Sequence, residues 1–386
     1  MSLRILHIGK YFPPVAGGIE NFLGDLLPSL EKNGVSVAAL VHDDVRKRHE
    51  GIFDATMPIF RVPSYGTLLY APLSPAFPFA LNKAIREFRP DLLHFHLPNT
   101  SAFWALILPV AGTVPWIVHW HSDVVPSMID RRMAPAYRLY QPVEKRFLSR
   151  ARSIIVTSQP YLNSSNTLSE YKDKCRVVPL GLNPERLKMP GDADLRWADA
   201  VWGQRDRRVL IIGRLTYYKG HDVILDAAQD LKGIRILIVG DGECKAGLKR
   251  RIHDLGISYT VSLQGSLPES ALHALLSTCD CLCLPSVERT EAFGLVLLEA
   301  MRYGKPVVAS NIPGSGIGWV VEDGVTGFWV PPGDPLALTR TLNDFFDQPE
   351  LKRKMGHAAM NRFQKVFQID HVAQQIILIY HQLLKA

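Results

Sequence analysis

An α/β protein built from two Rossmann-like β/α/β domains facing each other across a cleft is the fold this 386-residue sequence predicts. Three observations predict it. The length suffices for two domains, each burying its own core. Hydrophobic residues make up 47% and charged residues 21% of the chain, which fits a globular protein and not a disordered one. Short apolar runs alternate with helical patterns in two series, and the second series opens at Arg208.

The first series begins with the strand Arg4-Ile-Leu-His-Ile-Gly9, the loop Lys10 to Glu20, a helix from Glu20 to Lys32, then Gly34 and a strand from Val35 to Val41. Such a β-α-β opening places ligands at the carboxyl end of its first strand. Gly17 and Gly18 lie in that loop, where the lack of a Cβ lets backbone approach a ligand. Asp44 to Tyr70 shows no readable pattern. Pro90 to Pro98 reads as a further strand, and Ala102 to Val118 as a helix and then a strand. That last run is broken by Pro109, Gly112, Thr113 and Pro115, so it is not a membrane span. Trp116-Ile-Val-His-Trp-His-Ser-Asp123 repeats the strand-with-polar-tip pattern. Strand alternation puts His119 and His121 on one face, with His94 and His96 on the neighbouring strand. No carboxylate-rich ligand set accompanies them, so no metal is predicted. Ser153 to Ser158 is the next strand, and Val177-Val-Pro-Leu-Gly-Leu-Asn-Pro184 breaks the regular structure.

In the second series the strand Arg208 to Gly213 is followed by a helix Val223 to Leu231 and a strand Ile234 to Val239. Helix Cys244 to Leu255, strand Val261 to Leu263, helix Glu269 to Thr278 and strand Cys281 to Pro285 continue the alternation. The apolar run from Phe293, ended by Gly304, makes a buried helix, and Pro306 to Ala309 the strand after it. Val372 to Leu384 is the last helix.

Net charge is +7, unevenly spread. Residues 1–185 carry 20 Lys/Arg against 15 Asp/Glu, and the remainder 24 against 22. Arg131 to Arg152 holds seven basic residues and one acid, Glu144, a segment suited to anionic lipid headgroups or to plain solvent. No nucleic-acid-binding motif is present, so a nucleic-acid partner is not predicted. The five cysteines lack metal-site or redox spacing, and the N-terminus has no signal-peptide layout. A reducing cytoplasm is the expected location, with association at the inner face of the plasma membrane through the basic segment.

The chemistry centres on Glu291 and Glu299. Eight helical residues rise roughly 12 Å, too far for two carboxylates to share a proton but suited to two ends of one elongated ligand. Between them the amides of Phe293, Gly294, Leu295 and Val296 form a helix start, a ready site for a phosphate. A carboxylate, an anion site and a second carboxylate match a sugar, a diphosphate and a ribose laid end to end. Upstream, Gly213-Arg-Leu-Thr-Tyr-Tyr-Lys-Gly220 offers Arg214 as a planar fork and Lys219 as a point charge for a phosphate pair. Gly240-Asp-Gly-Glu243 lacks dinucleotide-loop spacing, which argues against hydride chemistry.

Glu-x7-Glu followed by Ala-Met-x-x-Gly-Lys-Pro-Val-Val-Ala resembles the signature of glycosyltransferase family 4 (group 1), retaining enzymes of the GT-B fold. The Gly17-Gly18 loop, the His121 tip, the Gly-Arg-Leu-x4-Lys-Gly clamp and the tail Gly324 to Asp334 extend the resemblance over nearly the whole chain. It implies an N-terminal acceptor-binding domain at 1–183, onto which a helix at 370–386 packs back, and a nucleotide-sugar-binding domain at 184–369. Catalysis falls to His121, Glu291, Arg214 and Lys219. Gly17, Gly18, Arg214, Lys219, Glu291, Phe293 to Val296 and Glu299 hold the donor, while Gly240, Gly265, Ser266 and Leu267 lie near the base. His119 and Asp123 are weaker sugar contacts, and Glu288 and Asp123 are further acids to mutate. The resemblance implies a metal-independent hexosyltransferase with no cofactor beyond its nucleotide-sugar substrate. The match is strongest with bacterial polysaccharide mannosyltransferases, which points to GDP-mannose and to a glycan or polyprenyl-diphosphate-linked acceptor.

A UDP-sugar donor, glucose or N-acetylglucosamine, remains the alternative within the same fold. A non-catalytic sugar-nucleotide-binding protein is the more remote one, disfavoured because Gly17, Gly18 and His121 are all present. A glycoside hydrolase needs carboxylates about 5–10 Å apart across one bond, closer than Glu291 and Glu299 are expected to lie.

Overall fold

The structure is a computed structural model that describes residues 2–15, 17–44, 57–68, 71–124, 133–204 and 206–385. Internal contacts divide the chain into two compact units, Met1–Gly181 with Ile369–Ala386, and Leu182–Gln368. Each contains one parallel sheet with helices packed on it.

In the first unit the strands are β1 (Arg4–Ile8), β2 (Ser36–Asp44), β3 (Ile59–Ser64), the short hairpin β4 (Thr67–Leu68) and β5 (Ala71–Pro72), β6 (Leu92–Leu97), β7 (Trp116–Trp120), β8 (Ser153–Val156) and β9 (Cys175–Val177). Seven of them form one sheet in the order β3-β2-β1-β6-β7-β8-β9, with every pairing parallel. Strands β6, β7 and β8 are buried at every position, as expected of a parallel sheet covered on both faces. The helix Gly18–Lys32 buries Phe22, Leu23, Leu26, Leu27 and Leu30. The C-terminal helix Ile369–Lys385 packs against it. Asp370 receives hydrogen bonds from Ser29 Oγ (2.6 Å) and Lys32 Nζ (2.9 Å).

The segment after Asp44 gave no pattern because β3 is a half-exposed edge strand that carries Arg61 and Pro63 instead of an apolar run. The helix expected from Ala102 is a 3-10 turn, Thr100–Leu106, followed by the single turn Pro109–Gly112. Prolines and a glycine in this stretch leave no room for a longer α-helix.

In the second unit β10 (Arg207–Ile212), β11 (Ile234–Val239), β12 (Val261–Gly265), β13 (Cys281–Leu284), β14 (Val307–Ser310) and β15 (Gly327–Val330) run in the order β12-β11-β10-β13-β14-β15, again all parallel. Its core is aliphatic, drawn from Val209, Ile211, Ile236, Ile238, Leu338 and Leu342 with Cys281 and Cys283. All five cysteines are free, and all but Cys244 are buried. Among the described residues no helix is long and apolar enough to cross a membrane.

Strand order reverses between β1 and β6 in one sheet and between β10 and β13 in the other. At such a reversal the loops leaving the strand ends splay apart, and ligands settle in the crevice.

Candidate functional site

The two loops flanking the second reversal carry the residues singled out in the sequence. After β10 the chain passes Gly213 and Arg214, makes the 3-10 turn Tyr217–Lys219 and reaches Gly220. Gly220 has φ +67°, and a Cβ there would overlap the carbonyl oxygen of Pro285 just beyond β13. Only glycine lets this loop close on the end of β13. Val287 N then donates to Tyr218 O at 2.8 Å, fixing the two loops together.

This closure brings Lys219 Nζ to 2.5 Å from Glu291 Oε2. Ser286 Oγ donates to the same carboxylate oxygen at 3.1 Å, and Ser315 Oγ holds the Glu291 carbonyl. Both side chains of the ion pair are nearly buried. Burial works against the Lys219 charge, but the Glu291 carboxylate outweighs it and the ammonium pKa rises above the ordinary lysine value. Arg214 is exposed, and among the described residues its guanidinium has no hydrogen-bond partner.

The helix after Glu291 starts at Leu295, two residues later than the apolar run implied. Gly294 is its N-cap with φ +78°, so Phe293 and Gly294 precede the helix, while Leu295 and Val296 form its first turn. Those first amides have no intrahelical acceptor. Glu299 lies one turn further along, 8% exposed, with Oε1 3.5 Å from Arg186 Nη2. At the neighbouring strand ends a Cβ on Gly240 would overlap the Gly213 carbonyl, and Gly240 N donates to Gly265 O at 2.8 Å. Gly213, Gly240 and Gly265 therefore stand side by side at the ends of their strands, with Ser266 and Leu267 following Gly265.

In the first unit, a Cβ on Gly17 would overlap the Glu20 carboxylate, whereas the space above Gly18 is open. His121 lies just past β7 and is 5% exposed, with its Nε2 3.0 Å from His96 Nδ1. Asp123 accepts from Trp120 Nε1 (2.9 Å) and Ser165 Oγ (2.7 Å), so its carboxylate braces the loop. Glu288 is half-buried.

Of the basic segment, Arg131 and Arg132 lie outside the described residues. Lys145 pairs with Glu170 at 2.5 Å, and Arg150 donates to Gly112 O while covering the Trp116 ring. Arg146 stands on the rim of an apolar groove of about 850 Å³ lined by Leu73, Phe103, Trp104, Ile107 and Val143.

Ser286, Arg186 and His7 escaped the sequence reading. Ser286 precedes Glu291 by five residues in the loop after β13 and belongs to no motif. Arg186 follows the linker at no motif spacing, whereas His7 carried a signal: it stands in β1 in register with His94.

Residues 198–362 match the family "Glycosyl transferases group 1", and residues 17–181 match "Glycosyl transferase 4-like domain". The D-rhamnosyltransferase WbpZ of Pseudomonas aeruginosa is 30% identical over 95% of this chain and 92% of its own. The chain belongs to the group 1 glycosyltransferases. The O-antigen chain mannosyltransferase C of Escherichia coli is 29% identical to this glycosyltransferase over the full length of both chains. Among solved structures, sucrose-phosphate synthase from Thermosynechococcus elongatus superposes with a TM-score of 0.78 at 24% identity, covering 99% of each chain. WaaG, a glycosyltransferase involved in lipopolysaccharide biosynthesis, gives 0.70 at 16% identity over 97% of this chain and 98% of its own. The enzyme therefore has the GT-B fold of two Rossmann-like domains.

Proposed function

We propose that this glycosyltransferase moves mannose from GDP-mannose to a lipid-linked glycan, retaining the configuration at the anomeric carbon, during synthesis of a bacterial surface polysaccharide. The observation that carries the donor site is the Lys219–Glu291 ion pair beside the helix start at Leu295, with Arg214 unpaired alongside. The sugar rests on two relatives aligned over more than nine-tenths of both chains, named as a mannosyltransferase and a D-rhamnosyltransferase, D-rhamnose being a 6-deoxymannose. The guanine base rests on the family resemblance.

Breaking the bond from the anomeric carbon to the diphosphate oxygen leaves negative charge on the leaving group. Arg214, Lys219 and the first-turn amides stabilise that charge in a preorganised, partly desolvated site. The same groups take the place of a divalent metal, so the reaction proceeds without one. Glu291 holds hydroxyls of the sugar and orients Lys219, Glu299 takes the ribose, and His121 takes a further sugar hydroxyl. The acceptor oxygen bonds to the anomeric carbon on the face the diphosphate leaves, and its proton passes to the departing phosphate oxygen. The apolar groove with Arg146 at its rim supports a polyprenyl-diphosphate acceptor and contact with an anionic inner leaflet, apolar chain against Trp104 and Ile107 and phosphate toward the guanidinium.

The test is transfer from GDP-mannose to a synthetic polyprenyl-diphosphate glycan in EDTA, with the product anomer read by NMR. An α-mannosyl product supports the proposal. Transfer only from UDP-glucose or UDP-N-acetylglucosamine overturns the donor. Dependence on Mg²⁺ overturns the metal-free mechanism.

A further inference from the structure

A row of five histidines lies in the first sheet. His7 comes from β1, His94 and His96 from β6, His119 from β7 and His121 from its tip, and none is more than 5% exposed. Three are hydrogen-bonded in line. His121 Nε2 is 3.0 Å from His96 Nδ1, and His96 Nε2 is 3.0 Å from His7 Nδ1. Both ends of the line, His121 Nδ1 and His7 Nε2, are buried without a partner among the described residues. The other two rings stand off it. His94 Nδ1 meets the Tyr380 hydroxyl at 2.6 Å, and His119 stacks on His121 at 4.4 Å and 4°.

We infer that His96 and His7 are positioning residues for His121, because the line His121–His96–His7 locks the three rings into one shared tautomer and so decides whether His121 Nδ1 meets its ligand as donor or acceptor. The inference rests on the reading that His121 touches the donor sugar.

A neutral imidazole carries one N–H and one lone pair. Burial holds the His7 and His121 pKa values down to about 3, and that of His96 well below the ordinary value, so all three rings are neutral at pH 7. Each link needs one proton. Only two arrays satisfy both links: protons on every Nε2, or protons on every Nδ1. Any mixed array sets two N–H groups or two lone pairs face to face in a buried place, where an unmade hydrogen bond is costly. With Nε2 tied to His96, the only ring nitrogen His121 has left for a ligand is Nδ1. A hydroxyl that donates to it selects the first array, and one that accepts from it selects the second. His96 and His7 also fix the plane of the His121 ring, helped by the edge-on Phe22 ring 5.8 Å away.

Two other uses of the cluster fit less well. Proton conduction needs an exit, and among the described residues His7 Nε2 has no onward partner. His96, His119 and His121 offer nitrogens within 4.8 Å of one another. The near-parallel His119 and His121 rings, however, send their lone pairs along parallel planes instead of to one point, and His96 already spends both nitrogens in the line.

The test is long-range ¹H–¹⁵N correlation on the full-length protein labelled with ¹⁵N-histidine at pH 7. His7, His96 and His121 are expected to be neutral and to share one tautomer, and a mixed set or any imidazolium among them overturns the inference. His96→Phe keeps the ring volume but removes both bonds. It should leave His121 in a tautomer mixture and lower kcat about 10- to 100-fold, the range seen when a metal-bound histidine loses its orienting partner, with KM for GDP-mannose within about threefold. His96→Gln, which keeps a donor and an acceptor, should recover part of that loss. Tyr380→Phe, which spares the line, should retain kcat within twofold, and equal losses in His96→Phe and Tyr380→Phe would overturn the proposal. One equivalent of zinc retained after EDTA dialysis, measured by mass spectrometry, would overturn it too. The tautomer measurement on the wild-type protein needs no donor, so it stands or fails apart from the glycosyltransferase reading.

Discussion

Lys219 Nζ and Glu291 Oε2, 2.5 Å apart, join the loop after β10 to the loop after β13 across the reversal of strand order. The raised Lys219 pKa means the pair's stability is present below the unfolded lysine value of about 10.4 and is lost only as pH climbs through the folded value, so the pair persists through the physiological range. Removing one partner strands a charge, so Lys219→Met should destabilise the protein by up to about 3 kcal/mol. The double variant Lys219→Met/Glu291→Gln should recover much of that stability and none of the transfer activity. Urea unfolding alongside a transfer assay checks both; recovered activity would separate the pair from catalysis.

The histidine row should make the enzyme acid-labile. His7 and His121 are held near pKa 3 by burial, below the unfolded value of about 6.5. Their folded state therefore binds fewer protons than the unfolded chain, and stability present above pH 6.5 is lost progressively as pH falls toward 3. Thermal unfolding followed by circular dichroism should show Tm falling steadily from pH 7 to pH 4. A flat profile would mean that these rings take up protons in the folded state.

Glu144 works in the opposite direction. It is fully buried on the basic helix Met133–Arg150, and among the described residues no cation pairs with it, the Tyr140 hydroxyl being its polar neighbour. Burial, offset only in part by the nearby Tyr140 hydroxyl, raises its pKa from 4.5 to about 7. Between those values the unfolded chain ionises while the folded protein stays protonated, so stability falls with rising pH and the penalty is complete above 7. Glu144→Gln should raise stability at pH 8 by about 2–3 kcal/mol and have little effect at pH 4.5. Denaturant titration at both pH values checks the difference.

Gly220 is the backbone condition for the site. Gly220→Ala sets a Cβ against the Pro285 carbonyl in a left-handed conformation, at a cost of about 1–3 kcal/mol. It should also displace Lys219 and weaken nucleotide binding at least tenfold. Calorimetric titration with GDP, beside Tm, tests this; a lower Tm with unchanged affinity would show that the loop does not set the position of Lys219.

Much of the fold was legible because parallel strands buried on both faces read as short apolar runs. The strand Ile234–Val239 and the helix Glu269–Thr278 emerge with the bounds their patterns gave. Edge strand β3 was not legible, since half-exposed positions lack an apolar signature. At the site, Glu291 and Lys219 were each named from motif and resemblance, but their contact depends on Gly220 closing one loop on another, which no local pattern encodes. The Glu299–Arg186 pair, formed across 113 positions, is of the same kind. His94, His96, His119 and His121 were visible individually, while the line through His7 required the strand register.

The proposed function needs Lys219, Arg214 and the Leu295–Arg302 helix start to clamp a sugar nucleotide without a metal. The most direct measurement is the thermal shift of the wild-type protein with GDP, GDP-mannose, UDP, UDP-glucose and UDP-N-acetylglucosamine, in Mg²⁺ and in EDTA. A ligand that binds only the folded state raises Tm with occupancy. An equal rise with GDP and GDP-mannose is expected in both conditions, abolished in Lys219→Met. A shift that requires Mg²⁺, or no shift with any of the five, would contradict it.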